Sequence, residues 1–177
     1  TERHGIKVAK WVVCKLEEKG HQVSLVDPVE LDLPLLDKMY KEMEFPPEKL
    51  QELQKTIKEA DGYIPITPEY NHSISSAMKN TLDYFLEEYF FKPSAIISYS
   101  VGPFGGVVAG NHLRQILAEM GASAIPSQLP ISKVHETFDA DGNLLDENYE
   151  RRFSRFLDEF EWYVAALAKQ RETGTPY

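Results

Sequence analysis

The sequence predicts an α/β fold in which a parallel sheet carries helices on both faces. Segments with apolar residues at helical spacing alternate with short apolar or β-branched segments along all 177 residues. Such alternation is typical of a doubly wound parallel sheet. No repeat, low-complexity tract or linker interrupts the pattern, so we expect residues 1–177 to form a single domain.

The first helix is predicted from apolar residues that recur at helical spacing until Gly20 stops it. Its apolar face is Ile6, Ala9, Val12, Val13 and Leu16. Residues 22–26 then read as a short strand, and residues 28–46 are irregular and rich in proline, leucine and acidic groups. A second helix begins at Pro46-Pro47-Glu48. Its apolar face is Leu50, Leu53, Ile57 and Ala60.

The second half of the chain continues the alternation. We expect extended segments at residues 62–66, 94–99 and 122–131. We expect helices at about residues 75–88, from Gly106 to Met120, and at about 147–169. The segment 94–99 is typical of a strand buried on both faces, and Gly121 is a helix stop. The last helix turns Phe153, Phe156, Leu157, Phe160, Val164 and Leu167 inward.

The chain begins without a strand that such a sheet requires. Residues 1–5 lead directly into the first helix. In the flavodoxin-like strand order 2-1-3-4-5, strand 1 lies between strands 2 and 3, and its loss would leave two interior edges unpaired. We therefore expect a strand and a turn upstream of Thr1.

Composition and charge exclude several function classes. The formal charge of −9 and the pI near 5.1 argue against a nucleic-acid partner, because phosphate binding needs clustered Lys and Arg. We expect no membrane partner, since no apolar run approaches the ~20 residues that span a bilayer. We predict no metal site, because the five histidines lack metal-ligand spacing. Cys14 is the only cysteine, which fits a cytoplasmic location, and its helical pattern predicts a buried thiol.

The most informative motif follows the extended segment at 62–66. It reads Pro68-Glu69-Tyr70-Asn71, continues to Ser73 and runs into a helix. A loop at the carboxyl end of a parallel strand, before a helix, is where open α/β sheets bind ligands. The backbone N–H groups of Glu69, Tyr70 and Asn71 suit the polar edge of a flat aromatic ligand, with Pro68 near its ring. Asn71 tolerates turn geometry.

A second loop follows the next strand and contains Ser100, Gly102, Gly105 and Gly106. Glycines let a backbone approach a ligand closely, and we expect the Ser100 hydroxyl to reach the same polar edge. A glycine-rich turn alone is weak information. Because this loop follows the strand next to that of the first motif, the two loops are expected to form one ligand site.

The two loops resemble those of the NADPH-dependent FMN reductase family, the flavodoxin-fold quinone, azo and chromate reductases. The resemblance covers nearly all of the chain and extends to Lys79-Asn80 and Asp83, although Ser75 stands where the family usually has proline. It implies that both loops contact the flavin of FMN, and that Arg3 lies near its phosphate. The flavin-contacting residues are then Pro68, Glu69, Tyr70, Asn71, Ser73, Ser100, Gly102, Gly105 and Gly106.

The resemblance also implies the reaction. A hydride passes from NADPH or NADH to the flavin, and two electrons then reach a quinone, an azo compound or free flavin. The cofactor carries this chemistry, so we expect no catalytic side chain. Family members are usually dimers or tetramers, and we expect a homodimer or homotetramer. Part of an aromatic cluster is assigned to that interface, with local packing as the alternative. The cluster is Tyr84, Phe85, Tyr89, Phe90 and Phe91.

Two other functions fit the same motifs. A flavodoxin-like electron carrier or redox-sensing flavoprotein would hold FMN without sustained turnover, and an acidic surface would suit a basic partner. The second loop favours the enzyme, because flavodoxins tend to cover the ring with aromatic side chains and this loop leaves one face open. A flavin-free interaction module is the third possibility.

Overall fold

A three-stranded parallel sheet forms the centre of the computed structural model, which describes residues 3–177. Its strands are hydrogen-bonded in chain order: β1 (Ile66–Pro68), β2 (Ser94–Tyr99) and β3 (Ala124–Ile131). Pro68 pairs with Tyr99, and Tyr99 pairs with Ile131. The carboxyl ends of all three strands therefore meet at one edge of the sheet, where the loops after β1 and β2 begin.

Helices connect and cover these strands. They are α1 (His4–Glu18), α2 (Pro28–Leu31), α3 (Glu48–Glu59), α4 (Ser76–Asp83), α5 (Val107–Glu119), α6 (Val134–Thr137) and α7 (Glu147–Arg171). Short 3₁₀ turns occupy Tyr40–Glu42 and Glu87–Tyr89. α4 ends before its predicted limit near residue 88, where the second 3₁₀ turn replaces it. Within residues 3–177, none of the helices is both long enough and apolar enough to cross a bilayer.

The sheet separates two hydrophobic clusters. Ile97 belongs to the cluster built from α1 and α7, which includes Trp11 and Phe153. Ile96 belongs to the other, built mainly from α3 and α5. Successive residues of a strand point to opposite faces, and both isoleucines are fully buried. The expected α/β architecture, a parallel sheet with helices on both faces, is confirmed.

The order of the observed strands is compatible with the predicted one. β1, β2 and β3 lie side by side in chain order, as strands 3, 4 and 5 of the order 2-1-3-4-5 would. The rest of that order stays a prediction. The family resemblance also implies that residues 1–5 are the tail of a phosphate-binding turn, and of these Thr1 and Glu2 lie outside the described residues.

The strand predicted at residues 22–26 is wrong. These residues adopt no strand conformation, although Val23 packs against the α1–α7 cluster and Val26 against the α3–α5 cluster. A strand needs a hydrogen-bonded neighbour, and in the described part of the chain residues 22–26 have no strand partner. Val23 and Val26 are only partly buried and Leu25 is 48% exposed, so this segment lies at the rim of the core without sheet pairing.

The thiol of Cys14 is exposed, so its predicted burial is also wrong. Cys14 follows the buried Val12 by two positions, about 200° around the helix axis, which turns it toward solvent. Its Sγ donates to the Glu18 carboxylate at 3.5 Å. This contact raises the pKa of the Cys14 thiol.

The aromatic cluster between α4 and β2 serves the fold of this chain. Tyr84, Phe85 and Tyr89 are buried in the α3–α5 cluster. Phe90 and Phe91 pack against Tyr177, with ring centroids 5.5 and 4.9 Å away. Local packing, the alternative to a subunit interface, therefore accounts for Tyr84, Phe85 and Tyr89.

Candidate functional site

Two loops lie next to each other at the carboxyl edge of the sheet. We call residues 69–75 the first loop and residues 100–106 the second loop. The Glu69 N–H donates to the Tyr99 carbonyl at 3.2 Å, which continues the pairing of β1 with β2 by one step. The structure thus brings together the two motifs that the sequence singled out.

A two-residue turn shapes the first loop. Tyr70 and Ser73 exchange backbone hydrogen bonds of 3.0 and 2.9 Å. Between them, Asn71 and His72 have φ values of 50° and 62°. A tight turn with two left-handed central residues is of type I′, and Asn and His occupy this region more readily than most residues. The prediction that Asn71 adopts turn geometry is confirmed.

Two of the three amides expected to face a ligand are already hydrogen-bonded. The Glu69 N–H donates to Tyr99 and the Tyr70 N–H donates to Ser73, so that expectation is wrong for both. The Asn71 N–H meets no acceptor within residues 3–177 and stays available. The Tyr70 side chain is 64% exposed, so this residue presents its ring rather than its amide.

The Glu69 carboxylate caps α5, a role that the sequence motif did not indicate. Its Oε2 accepts hydrogen bonds from the amides of Val108 and Ala109, each at 3.1 Å. The residue at the N-cap position, Gly106, has no side chain to do this, and the first turn of α5 carries no acidic residue. The sequence contained one signal for this role. Gly106 cannot cap α5 with a side chain, so an acceptor for its first amides has to come from another segment.

A second contact joins the first loop to α5. The Ser73 hydroxyl lies 2.8 Å from Nδ1 of His112, and the other Glu69 oxygen, Oε1, lies 3.4 Å from Nδ1 of His72. Positions 108, 109 and 112 are neighbours on one face of a helix. The first loop therefore lies along α5 and is fastened to it at two points.

The glycines of the second loop fall into two groups. Gly105 and Gly106 have φ values of 64° and 73°, and a Cβ there would lie 2.9 Å from the Ile131 nitrogen and 2.8 Å from the Tyr99 oxygen. Gly105 and Gly106 are therefore required by the left-handed backbone and by the close packing of the second loop against β2 and β3. A Cβ on Gly102 would meet nothing closer than 3.8 Å. Close approach of a ligand is therefore a reason for glycine at Gly102 alone.

The Ser100 hydroxyl points into its own loop. It donates to the Gly102 carbonyl at 3.1 Å, and the same carbonyl accepts from the Lys133 N–H at 3.0 Å. The Ser100 backbone donates to Ile131 and accepts from Val134. Its hydrogen is thus engaged, while its oxygen keeps acceptor capacity for a ligand N–H group.

Arg3 lies beside the same edge of the sheet. Its Nη2 is 2.6 Å from Oδ1 of Asp27, whose side chain is 4% exposed while that of Arg3 is 44% exposed. This ion pair holds the pKa of Asp27 below its usual value. A Cβ on Gly5 would lie 2.5 Å from the Tyr99 hydroxyl, so the start of α1 lies against the end of β2.

The charge around Tyr99 reflects this arrangement. Burial, with a smaller contribution from the nearby Tyr70, raises the pKa of Tyr99 to about 12, and Arg3 opposes the shift. Within residues 3–177, no side chain caps the first turn of α1, and this turn contains no acidic residue. A helix N-terminus with a neighbouring guanidinium is favourable for an anionic group.

The groups at this edge fit a flat ligand with a polar side and an anionic end. Apolar surface is exposed around the loops by Tyr70, Val101, Phe104 and Val108. Phe104 is 78% exposed. The Asn71 N–H, the space beside Gly102 and the guanidinium of Arg3 are the polar groups and the open space at this edge.

The fold, with a candidate site at the carboxyl ends of parallel strands, is that of the flavodoxin-like class of nucleotide-binding proteins. The sequence profile of the NADPH-dependent FMN reductase family matches residues 1–136. The chain belongs to this family. The predicted flavodoxin-like fold is thereby confirmed.

Individual relatives agree with this assignment. An NADPH azoreductase from Bacillus sp. (strain OY1-2) is 33% identical over 72% of this chain and 68% of its own length. A 2-hydroxy-1,4-benzoquinone reductase from Burkholderia sp. is 32% identical over 75% of this chain and 74% of its own. The structure of FerB, a flavoenzyme NAD(P)H:(acceptor) oxidoreductase from Paracoccus denitrificans, superposes with a TM-score of 0.78. It is 27% identical and covers 94% of this chain and 92% of its own.

The protein is therefore an oxidoreductase that uses FMN, with NAD(P)H as the electron donor. This membership favours the enzyme over the carrier and over the flavin-free module. In residues 3–177, no cluster of three or more His, Cys, Asp or Glu side chains is arranged to hold a metal ion.

Proposed function

We propose that FMN is held by both loops, by the end of β1 and by the start of α1. The residues that border the flavin are Arg3, Pro68, Tyr70, Asn71, Ser73, Ser100, Gly102, Gly105 and Gly106, while Glu69 holds the first loop in place. The observation that carries the proposal is the open space beside Gly102, where nothing in the protein requires glycine. A ring lying against this position explains the absence of a side chain.

Different groups of the site bind the phosphate, the polar edge and the ring of FMN. Arg3 and the uncapped first turn of α1 supply positive charge for the phosphate. The free N–H of Asn71 donates to the polar edge of the ring, and the exposed rings of Tyr70 and Phe104 supply apolar surface. When bound, FMN would supply the redox chemistry that couples oxidation of NAD(P)H to two-electron reduction of the acceptor.

The acceptor that we propose is a planar aromatic compound, a quinone or an azo compound, with free flavin as a further substrate. Two relatives are an azoreductase and a benzoquinone reductase. The exposed Tyr70 and Phe104 side chains suit a planar apolar acceptor, because aromatic rings stack with a favourable offset geometry. Steady-state oxidation of NADPH and of NADH with a benzoquinone and with an azo dye tests this choice.

Substitution of Gly102 by valine separates flavin binding from folding. A Cβ at Gly102 meets nothing closer than 3.8 Å in the described residues, so we expect the melting temperature to stay within about 2 °C of the wild-type value, a change below ~1 kcal/mol. We expect FMN affinity to fall at least tenfold, because the side chain fills the space assigned to the ring. A matched control is Val101→Ala, which shortens the neighbouring exposed side chain without adding volume.

Three outcomes are informative. A Gly102→Val variant that is stable and binds FMN like the wild type contradicts the proposed site. Wild-type protein that binds no FMN contradicts the cofactor assignment itself. Single-turnover reduction without steady oxidation of NAD(P)H would support an electron carrier in place of the enzyme.

We also propose that the chain forms a homodimer or homotetramer through a groove beside the site. The groove has a volume of about 550 Å³ and is lined by α4 and α5 residues, including Asp83, Ile116 and His112. His112 also contacts the first loop, so a second copy in this groove would adjoin the flavin. Ile116→Glu is expected to shift the mass in solution to a monomer, whereas Leu35→Glu, on exposed surface outside the groove, is not.

A cytoplasmic location is the last part of the proposal. The exposed Cys14 thiol is a free cysteine, and free exposed thiols persist in reducing compartments. The donors NADPH and NADH are supplied there. Fractionation of cells that express the chain, with a secreted marker as control, tests this location.

A further inference from the structure

The first turn of α5 cannot be capped from its own sequence. Gly106 stands at the N-cap position in a left-handed conformation, and a Cβ there would lie 2.8 Å from the Tyr99 oxygen. Serine, threonine, aspartate or asparagine, the usual caps, are therefore excluded at this position by the close packing of the second loop. The free amides of the first turn need an acceptor from another part of the chain.

Glu69 supplies that acceptor from 39 and 40 positions earlier in the sequence. Its backbone N–H is bound to Tyr99 at the end of β2, and its carboxylate is bound to α5. The side chain is 18% exposed, so these hydrogen bonds are partly shielded from water, and bonds to a charged acceptor are stronger than neutral ones. Glu69 thus bridges the two loops with both ends fixed.

The bond between Ser73 and His112 fixes the far end of the first loop to the next turn of α5. With Glu69 at one end and Ser73 at the other, the left-handed residues Asn71 and His72 are held between two anchors. The orientation of the Asn71 N–H and the Tyr70 ring therefore depends on these anchors. The separation between this turn and Gly102 depends on them too.

We propose that Glu69 is a positioning residue, whose carboxylate sets the spacing of the two loops by capping α5 and does not itself contact the flavin. This inference rests on the proposed function, since it concerns the space assigned to the ring. It replaces direct flavin contact as the reason for a glutamate in the Pro-Glu-Tyr-Asn motif.

The test compares three variants by hydrogen exchange, FMN affinity and visible circular dichroism of the bound flavin. In Glu69→Ala, exchange of the Val108 and Ala109 amides is expected to accelerate about tenfold, as expected for a lost cap. FMN affinity falls by a similar factor and the dichroism of bound FMN changes. Glu69→Gln keeps an acceptor oxygen without the charge. We expect about threefold faster exchange of the two amides and about threefold weaker FMN binding in this variant.

Asp146→Ala is the matched control, because Asp146 caps α7 through Asn148. Its loss should accelerate exchange at Asn148 and leave FMN affinity and dichroism unchanged.

Two results would overturn the proposal. Unchanged exchange at Val108 and Ala109 in Glu69→Ala means that the cap is absent in solution. Faster exchange with unchanged FMN affinity and dichroism means that Glu69 only stabilises a helix. If the wild type binds no FMN, the proposed function fails, and the exchange measured without flavin still decides whether Glu69 fastens the loops together.

Discussion

The second loop should not tolerate a side chain at Gly106, and the structure gives a magnitude for the effect. A left-handed conformation costs about 1–2 kcal/mol for a residue with a Cβ. The new Cβ would also lie 2.8 Å from the Tyr99 oxygen, and forced overpacking of this kind adds about 1–3 kcal/mol. We therefore expect Gly106→Ala to lower the free energy of unfolding by about 2–5 kcal/mol.

Gly20 provides the matched comparison. Its φ is 89°, and a Cβ there would meet nothing within 4 Å. Gly20→Ala should therefore lower the free energy of unfolding only by the cost of the left-handed conformation, about 1–2 kcal/mol. Urea denaturation of both variants measures the difference, and an unchanged m-value confirms that only stability has changed. Equal losses in the two variants would refute the steric part of the reasoning.

Two titratable groups make further predictions. Burial lowers the pKa of Lys92 to about 8, below its unfolded value, so the unfolded state binds more protons between the two values and stability rises with pH. The stability of the wild type relative to Lys92→Met, by urea denaturation, should therefore increase by about 1–2 kcal/mol from pH 7.5 to 9.5; a flat difference contradicts this. Arg3 lowers the pKa of Asp27, which stabilises the fold above the unfolded pKa. Asp27→Asn should be less stable by about 1–2 kcal/mol at pH 6, and this deficit should shrink in melting experiments at pH 3. A deficit that grows toward low pH would contradict the assignment.

Apolar spacing predicted the main helices and the strands β2 and β3 well, because burial acts locally through side-chain periodicity. The segment predicted at 62–66 shares only Ile66 with β1, and Tyr63 forms an isolated bridge to Ser94. Residues 94–99 form β2 as expected, and the two loops lie together because parallel strands share one carboxyl edge. The strand predicted at residues 22–26 failed because strand formation depends on a distant partner and not on local periodicity. A strand is defined by hydrogen bonds to a neighbour, and alternation of apolar residues does not reveal whether a neighbour is there.

The contacts inside the site were beyond the reach of the sequence. A cap for α5 that comes from Glu69 requires two distant segments to meet, and no local pattern records their distance. The same holds for the glycines, since Gly105 and Gly106 serve the backbone of the sheet while Gly102 does not. Motif matching treats these three residues alike, and their physical reasons differ.

The second loop contains both confined and exposed positions, and this difference determines which of its residues can be changed without loss of stability. Gly105 and Gly106 are confined by β2 and β3, whereas Val101, Pro103 and Phe104 are exposed. A library randomised at the three exposed positions would sample new surfaces beside the proposed flavin site and would leave the two confined glycines unchanged. Changes of acceptor preference can thus accumulate in this loop without a matching loss of stability, which makes it a natural starting point for directed evolution.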